Sequence, residues 1–296
     1  MTSRGIDSTD SPRTYHILGV PLRSGSWTPG NEQDPQAYRD ARLFEALEAA
    51  NVSVSDEGDL AVPSYLPHHT VPPIRNWPGP RIVWDHLRER LTPFLQQPGH
   101  VPLLIGCDCS VVVGSALALA QSGAHDLHVV YVDGDVDDVQ AIGERCQSAA
   151  YMALWLLTEA SPFRDGAPVP PSNVHVVGNS KPAERPQSGI RTTSLDEVRR
   201  LGARAVAERV RSAIPATADV LLHFDVDVLD FREMPAMYFP HHDGLTLDEG
   251  RALFETFARD PRVRVIELAE YASVRDFDRS GARALTDMIV QGLATR

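Results

Sequence analysis

The stretch "LHVVYVDGDVD" (127–137) decides how this chain is read. An apolar run ends on three aspartates, Asp133, Asp135 and Asp137, at alternate positions. Three other runs share the design. "HVPLLIGCDCS" (100–110) ends on Asp108 and Cys109, "VLLHFDVDVLD" (220–230) on Asp225, Asp227 and Asp230, and "VRVIELAEY" (263–271) on Glu267 and Glu270. Apolar runs of this length read as strands buried on both faces, as in a parallel sheet. In open α/β sheets the ligand crevice lies beyond the carboxyl ends of the strands. Four strands would thus bring several carboxylates and a thiol to one rim. Crowded carboxylates repel one another and resist desolvation, and bound cations are the simplest remedy.

The helices between these runs complete the pattern. "DPQAYRDARLFEALEAA" (34–50), "RIVWDHLRERLTPFLQQ" (81–97), "SVVVGSALALAQS" (110–122) and "CQSAAYMALWLLTEA" (146–160) carry helical character. So do "SLDEVRRLGARAVAERVRSAI" (194–214), "TLDEGRALFETFARD" (246–260) and "RSGARALTDMIVQGLATR" (279–296). Ser194 with Glu197, and Thr246 with Glu249, have capping-box spacing. "TYHILGVP" (14–21) and "NVHVVGN" (173–179) read as further strands. Strand–helix alternation means βαβ units, so the expected fold is a three-layer α-β-α sandwich with a mainly parallel central sheet. Residues 15–296 are expected to form one domain, with 1–14 as a disordered lead-in and 56–80 as a surface loop rich in proline and histidine.

The 296 residues are 43% hydrophobic, ordinary for a globular protein, with net charge −12. Without a long basic run, nucleic acid and anionic membrane are not expected partners. No run of about 18 apolar residues suggests a membrane span. Three cysteines make no disulfide framework, so a reducing cytoplasm is expected.

On an extended segment residues two apart share a face, so Asp133, Asp135 and Asp137 can aim at one point, as can Asp225 and Asp227. Bridging carboxylates hold two divalent ions roughly 3.5–4 Å apart. The bland alternative, carboxylates that cap helices or face solvent, fits one such cluster but weakens when three occur on separate strands.

These motifs resemble the ureohydrolases, the family of arginase and agmatinase. Their GGDHS, DAHxD and SFDxDxxDP elements correspond to "GCDCS" (106–110), "DGDVD" (133–137) and "HFDVDVLD" (223–230). "GNEQDPQAYRDARL" (30–43), "DGLTLDEG" (243–250) and "IELAEY" (266–271) resemble three further elements in the same order. The resemblance implies an arginase-like fold and a metal-dependent amidinohydrolase. It implies two divalent ions, manganese first, with zinc, iron or cobalt as alternatives. Carried over residue by residue, the ligands are Cys109, Asp133, Asp137, Asp225 and Asp227, with Asp135 in a ligand position. Asp137 would also orient the attacking hydroxide, and Glu270 would hold the cationic end of a small guanidino substrate. A homo-oligomer is compatible with this reading.

The departures are as informative. Cys109 and Asp135 stand where the family has its two nitrogen ligands. "GERCQ" (143–147) replaces the stretch with the proton-shuttling histidine, placing Cys146 near that position, and the loop before it is shortened. His242, beside His241, is the candidate replacement acid/base. A thiolate favours softer ions, and a poorer proton delivery system suits a less basic substrate. The expected reaction is therefore hydrolysis of N-hydroxy-L-arginine to hydroxyurea and ornithine, as in antibiotic biosynthesis. An inactive binding subunit and a metal-dependent amidase on another substrate remain the alternatives.

Overall fold

The computed structural model describes residues 13–21, 24–27, 33–63, 72–141, 143–181 and 189–294. Its centre is an eight-stranded sheet in the order β2-β1-β3-β8-β7-β4-β5-β6. The strands are β1 (Thr14–Gly19), β2 (Ser53–Asp59), β3 (His100–Cys107), β4 (Leu127–Val132), β5 (Val174–Asn179), β6 (Arg191–Ser194), β7 (Asp219–Asp225) and β8 (Val263–Ala269). Every pairing is parallel. The four runs with acidic ends are β3, β8, β7 and β4, consecutive neighbours at the centre of the sheet. Their carboxyl ends therefore meet at one place.

The helices are α1 (Gln33–Asp40), α2 (Leu43–Ala49), α3 (Gly79–Leu95), α4 (Val111–Gln121), α5 (Ala153–Thr158), α6 (Leu195–Leu201), α7 (Ala203–Ala213), α8 (Leu247–Ala258) and α9 (Ser280–Leu293). Two cores lie on opposite faces of the sheet. One packs α1, α2 and α6–α9 against Leu103, Ile105, Val130, Val132, Leu222 and Phe224. The other packs α3–α5 against Leu104, Cys107, Val129, Tyr131 and Leu221. Alternate strand residues feed alternate cores, as the two-residue period requires. This is the three-layer arrangement expected, with an all-parallel sheet. Among the described residues no helix is long and apolar enough to cross a membrane.

Several boundaries differ from those read in the sequence. The helix expected over 34–50 is two, parted at Arg42, whose φ is 62°. That over 194–214 breaks at Gly202, whose φ of 87° suits a residue without Cβ. The helix after the second acidic cluster begins only at Ala150, as a 3₁₀ turn running into α5. The capping box at Thr246 and Glu249 is complete. At Ser194 the side chain accepts from Glu197 N.

The loop expected over 56–80 is in part a strand. Residues 53–59 pair with β1 as β2, and Ile74 and Asn76 are buried. Residues 64–71 of that loop lie outside the described residues. So do residues 1–12 of the lead-in, but its last two belong to the folded body. Arg13 donates to the carbonyls of Ala258, Asp260 and Val263, and Thr14 opens β1.

Candidate metal centre

Each central strand contributes to the rim through its own local geometry. After β3, the Asp108 carboxylate accepts from Ser110 N, Ser110 Oγ and Gly25 N at 2.9, 2.5 and 3.1 Å. Asp108 is thereby consumed in shaping the turn that presents Cys109. After β4, Asp133 accepts from Asp135 N at 2.6 Å through Oδ1. Asp137 sits at φ 51°, pinned where Leu154 N donates to its carbonyl. After β7, Asp225 Oδ1 accepts from Asp227 N at 2.7 Å, winding the chain into a 3₁₀ turn that aims Asp227 inward. After β8, Glu270 sits at φ 60°, its N–H bonded to the carbonyl of Cys107. Left-handed conformations are costly for carboxylate residues and persist where surrounding bonds impose them.

The structure brings together the side chains that sequence reasoning selected. Cys109, Asp135, Asp137, Asp225, Asp227 and Glu270 line one cavity of about 410 Å³. Asp133 lies fully buried beside them, with donor atoms of Cys109, Asp133, His223 and Asp225 all within 4.8 Å of one another. Asp230 is not part of the group. Its carboxylate binds Arg232, which draws its pKa down to about 2. His242 is exposed and packs edge-on against Phe231. Of the histidine pair it is His241 that lines the cavity, so the acid/base candidate shifts by one residue. The backbone bridge between Asp230 and His241 sets that facing. Cys146 is half-buried and does not line the cavity.

Lys181 and His223 escaped the sequence reading, and Glu267 was read only as one of the strand-end carboxylates. Lys181, just beyond β5, forms an ion pair with Asp135 Oδ1. It supplies one positive charge against the carboxylate that replaces a family histidine. His223 and Glu267 lie one layer below the rim, joined at 2.7 Å between Nδ1 and Oε2. A polar residue interrupting each of two apolar runs was visible, but their adjacency depends on strand register.

The electrostatics identify what this rim lacks. Asp133, Asp137, Asp225 and Asp227 all have pKa values pushed well above the ordinary carboxylate range, first by burial and then by the charge of neighbouring carboxylates, Asp135 and Glu270 among them. Asp133 Oδ2 and Asp227 Oδ1 are buried without a hydrogen-bond partner. Burial, then Asp225 and Glu270, likewise raises the Cys109 thiol, which donates to Asp225 Oδ2 at 2.8 Å. Tyr131, its own pKa raised mainly by burial, donates to Asp137 Oδ2 at 2.7 Å. Converging, unsatisfied acceptors of this kind fit divalent cations, whose binding would also displace the thiol's proton into solution. Cys109, Asp133, Asp135, Asp137, Asp225 and Asp227 are the residues that could hold them.

An eight-stranded parallel sheet with a carboxylate-rich cavity at its central strand ends, able to hold metal, is the arrangement of the metal-dependent amidinohydrolases to which the family match assigns the chain. The Arginase family model matches residues 13–294, and the chain belongs to that family. It is 28% identical over 281 residues to the hepatic arginase of Aquarana catesbeiana, covering 89% of this chain and 86% of that one. Among solved structures, Entamoeba histolytica arginase in complex with L-ornithine superposes with a TM-score of 0.83 at 18% identity, covering 97% and 100% of the two chains. Trypanosoma cruzi formiminoglutamase with Mn²⁺ superposes with a TM-score of 0.72 at 20% identity, covering 95% and 94%.

Proposed function

We propose that this chain hydrolyses a guanidine-type C–N bond, with N-hydroxy-L-arginine as substrate and hydroxyurea and ornithine as products, in secondary metabolism. The observation that carries the reading is the cavity itself, about 410 Å³, into which Asp135, Asp137, Asp225, Asp227 and Glu270 converge, with Cys109 Sγ 3.9 Å from Glu270 Oε1. Two divalent ions, manganese first, would lower the pKa of a bound water and supply hydroxide near neutral pH.

The chain's own residues do the rest. Glu270 accepts a charge-assisted hydrogen bond from the substrate's cationic end. Asp137, fixed by Tyr131 and by its pinned backbone, orients the attacking group. Trp27, Tyr151 and Phe239 form part of the cavity wall. His241 Nε2, buried and 3.7 Å from both Asp135 Oδ2 and Asp227 Oδ1, is placed to hold a proton for the departing amine. A Cβ at residue 134 would lie 2.8 Å from His241 Cδ2, so Gly134 makes room for the ring.

An N-hydroxyguanidine suits this site better than a guanidine. Its hydroxyl withdraws electrons, so it is less basic and demands less proton delivery, matching the lost shuttle histidine. A reducing cytoplasm would keep Cys109 available as a ligand. The test is a substrate panel on manganese-loaded protein. N-hydroxyarginine should exceed arginine and agmatine in kcat/KM, with hydroxyurea and ornithine released in equal amounts. Arginine as the better substrate would overturn the substrate assignment, and no turnover of any guanidine or amide would favour a binding subunit.

A further inference from the structure

Below the metal-facing rim, three polar side chains cross three adjacent strands in register. Tyr131 on β4 is paired with His223 on β7, and His223 with Glu267 on β8. All three are fully buried, against the core that contains α3–α5. The Tyr131 and His223 rings stack with centroids 4.3 Å apart and an interplanar angle of 8°, fixing the imidazole plane. His223 Nδ1 lies 2.7 Å from Glu267 Oε2. With Nδ1 donating to this carboxylate, Nε2 carries the lone pair.

That Nε2 is buried and has no hydrogen-bond partner. Leaving a buried imidazole nitrogen unpaired is costly, and native structures rarely tolerate it without a use. His223 offers a donor within 4.8 Å of those of Cys109, Asp133 and Asp225. Metal bonds of roughly 2.0–2.3 Å place neighbouring ligand atoms at comparable separations. Histidine ligands also commonly donate their second nitrogen to a carboxylate, which sets tautomer and ring orientation. His223 and Glu267 already have that relationship.

We propose that His223, oriented by Glu267, is a nitrogen ligand of the ion held by Cys109, Asp133 and Asp225. The chain carries Cys109 and Asp135 at the two rim positions where the resemblance places histidines. A nitrogen from beneath the rim restores a donor of the type lost there. Glu267 does not touch the ion and acts as a positioning residue. This inference rests on the metal reading above, and its test separates the two.

Sub-stoichiometric Mn²⁺ is added to the full-length, chelator-treated protein and examined by pulsed electron paramagnetic resonance. Wild type should show nitrogen hyperfine coupling that changes when the histidines carry ¹⁵N. The coupling should disappear in His223→Ser and persist in His241→Ala. The Mn²⁺ dissociation constant should rise at least about tenfold in His223→Ser. Glu267→Gln should keep the coupling while weakening binding about tenfold, which a merely structural role for the pair would not do. Should His223→Ser fail to fold, the ¹⁵N experiment and Glu267→Gln still decide. Mn²⁺ bound without nitrogen coupling, or with coupling lost only in His241→Ala, would overturn the assignment and leave the metal centre standing. Absence of Mn²⁺ binding would overturn both.

Discussion

The two ends of the central sheet bury carboxylates in opposite ways. At the amino ends of the strands, Asp260 is almost fully buried. Arg262 donates to it from Nε and Nη2 at 2.9 and 2.6 Å, and Arg211 from Nε at 3.0 Å. Burial pushes its pKa up, but these guanidinium bonds outweigh burial and hold it below the ordinary value. At the carboxyl ends, Asp133, Asp137, Asp225 and Asp227 are also buried, and their pKa values go up. Among the described residues, Lys181 pairs with Asp135, His241 approaches Asp135 and Asp227, and the His223 ring lies beneath Asp133 and Asp225. The rim four lie deeper in the protein than Asp260, but the sign of the shift turns on who supplies the cations. Where the chain supplies its own, the carboxylate is structural. Where it withholds them, the site is built to take cations from solution.

Removing one carboxylate from each end should break this comparison most clearly. Asp227→Ala should lose bound metal and lower kcat by about 10²-fold or more, measured by elemental analysis and product release. The same variant without metal should gain thermal stability over metal-free wild type, because a repelling, desolvated charge is gone. Asp260→Asn should do the reverse. It removes the charge that Arg211 and Arg262 bind, although both keep other acceptors, and should cost about 1.5–3 kcal/mol in chemical denaturation, while activity per folded molecule stays at the wild-type level.

The pH dependence of stability sharpens the contrast. In metal-free protein the rim carboxylates have raised folded pKa values, so between the unfolded value of about 4 and those raised values the folded state binds more protons. Stability of the chelated protein should therefore fall as pH rises through that window. Asp260 has the opposite sign: its contribution is complete above about pH 4 and is lost as pH falls through its depressed folded value. Melting temperatures from pH 4 to 8, with chelator and with Mn²⁺, should show the rim's penalty only in chelator. A smaller effect is expected from Tyr131→Phe. Losing the hydrogen bond to Asp137 should lower kcat about three- to tenfold, equivalent to about 0.5–1.5 kcal/mol, with metal content unchanged.

The four central strands were legible because each is an apolar run buried on both faces and ends on residues that apolar burial cannot explain. The edge strands were not. β2 is "SVSDEGD" and β6 is "RTTS", polar segments that pair along one side and are half open to solvent, so no hydrophobic period marks them. Within the site, the strand-end aspartates announced themselves by alternation. The pairing of His223 with Glu267 did not, because it arises from lateral register between β7 and β8, 44 positions apart in sequence. The choice between His241 and His242 depended on loop facing, for which adjacent identical residues carry no signal. Lys181 follows a strand whose place beside β4 only the assembled sheet reveals.

The most direct test is titration of chelator-treated protein with Mn²⁺, reading ions bound per chain and melting temperature together. About two ions per chain with a rise in melting temperature is the expected result, since cations would relieve the repulsion at the carboxyl ends of the strands. No binding and no change in melting temperature with Mn²⁺, Zn²⁺, Fe²⁺ or Co²⁺ would contradict it, because the buried carboxylates would then tolerate one another without cations.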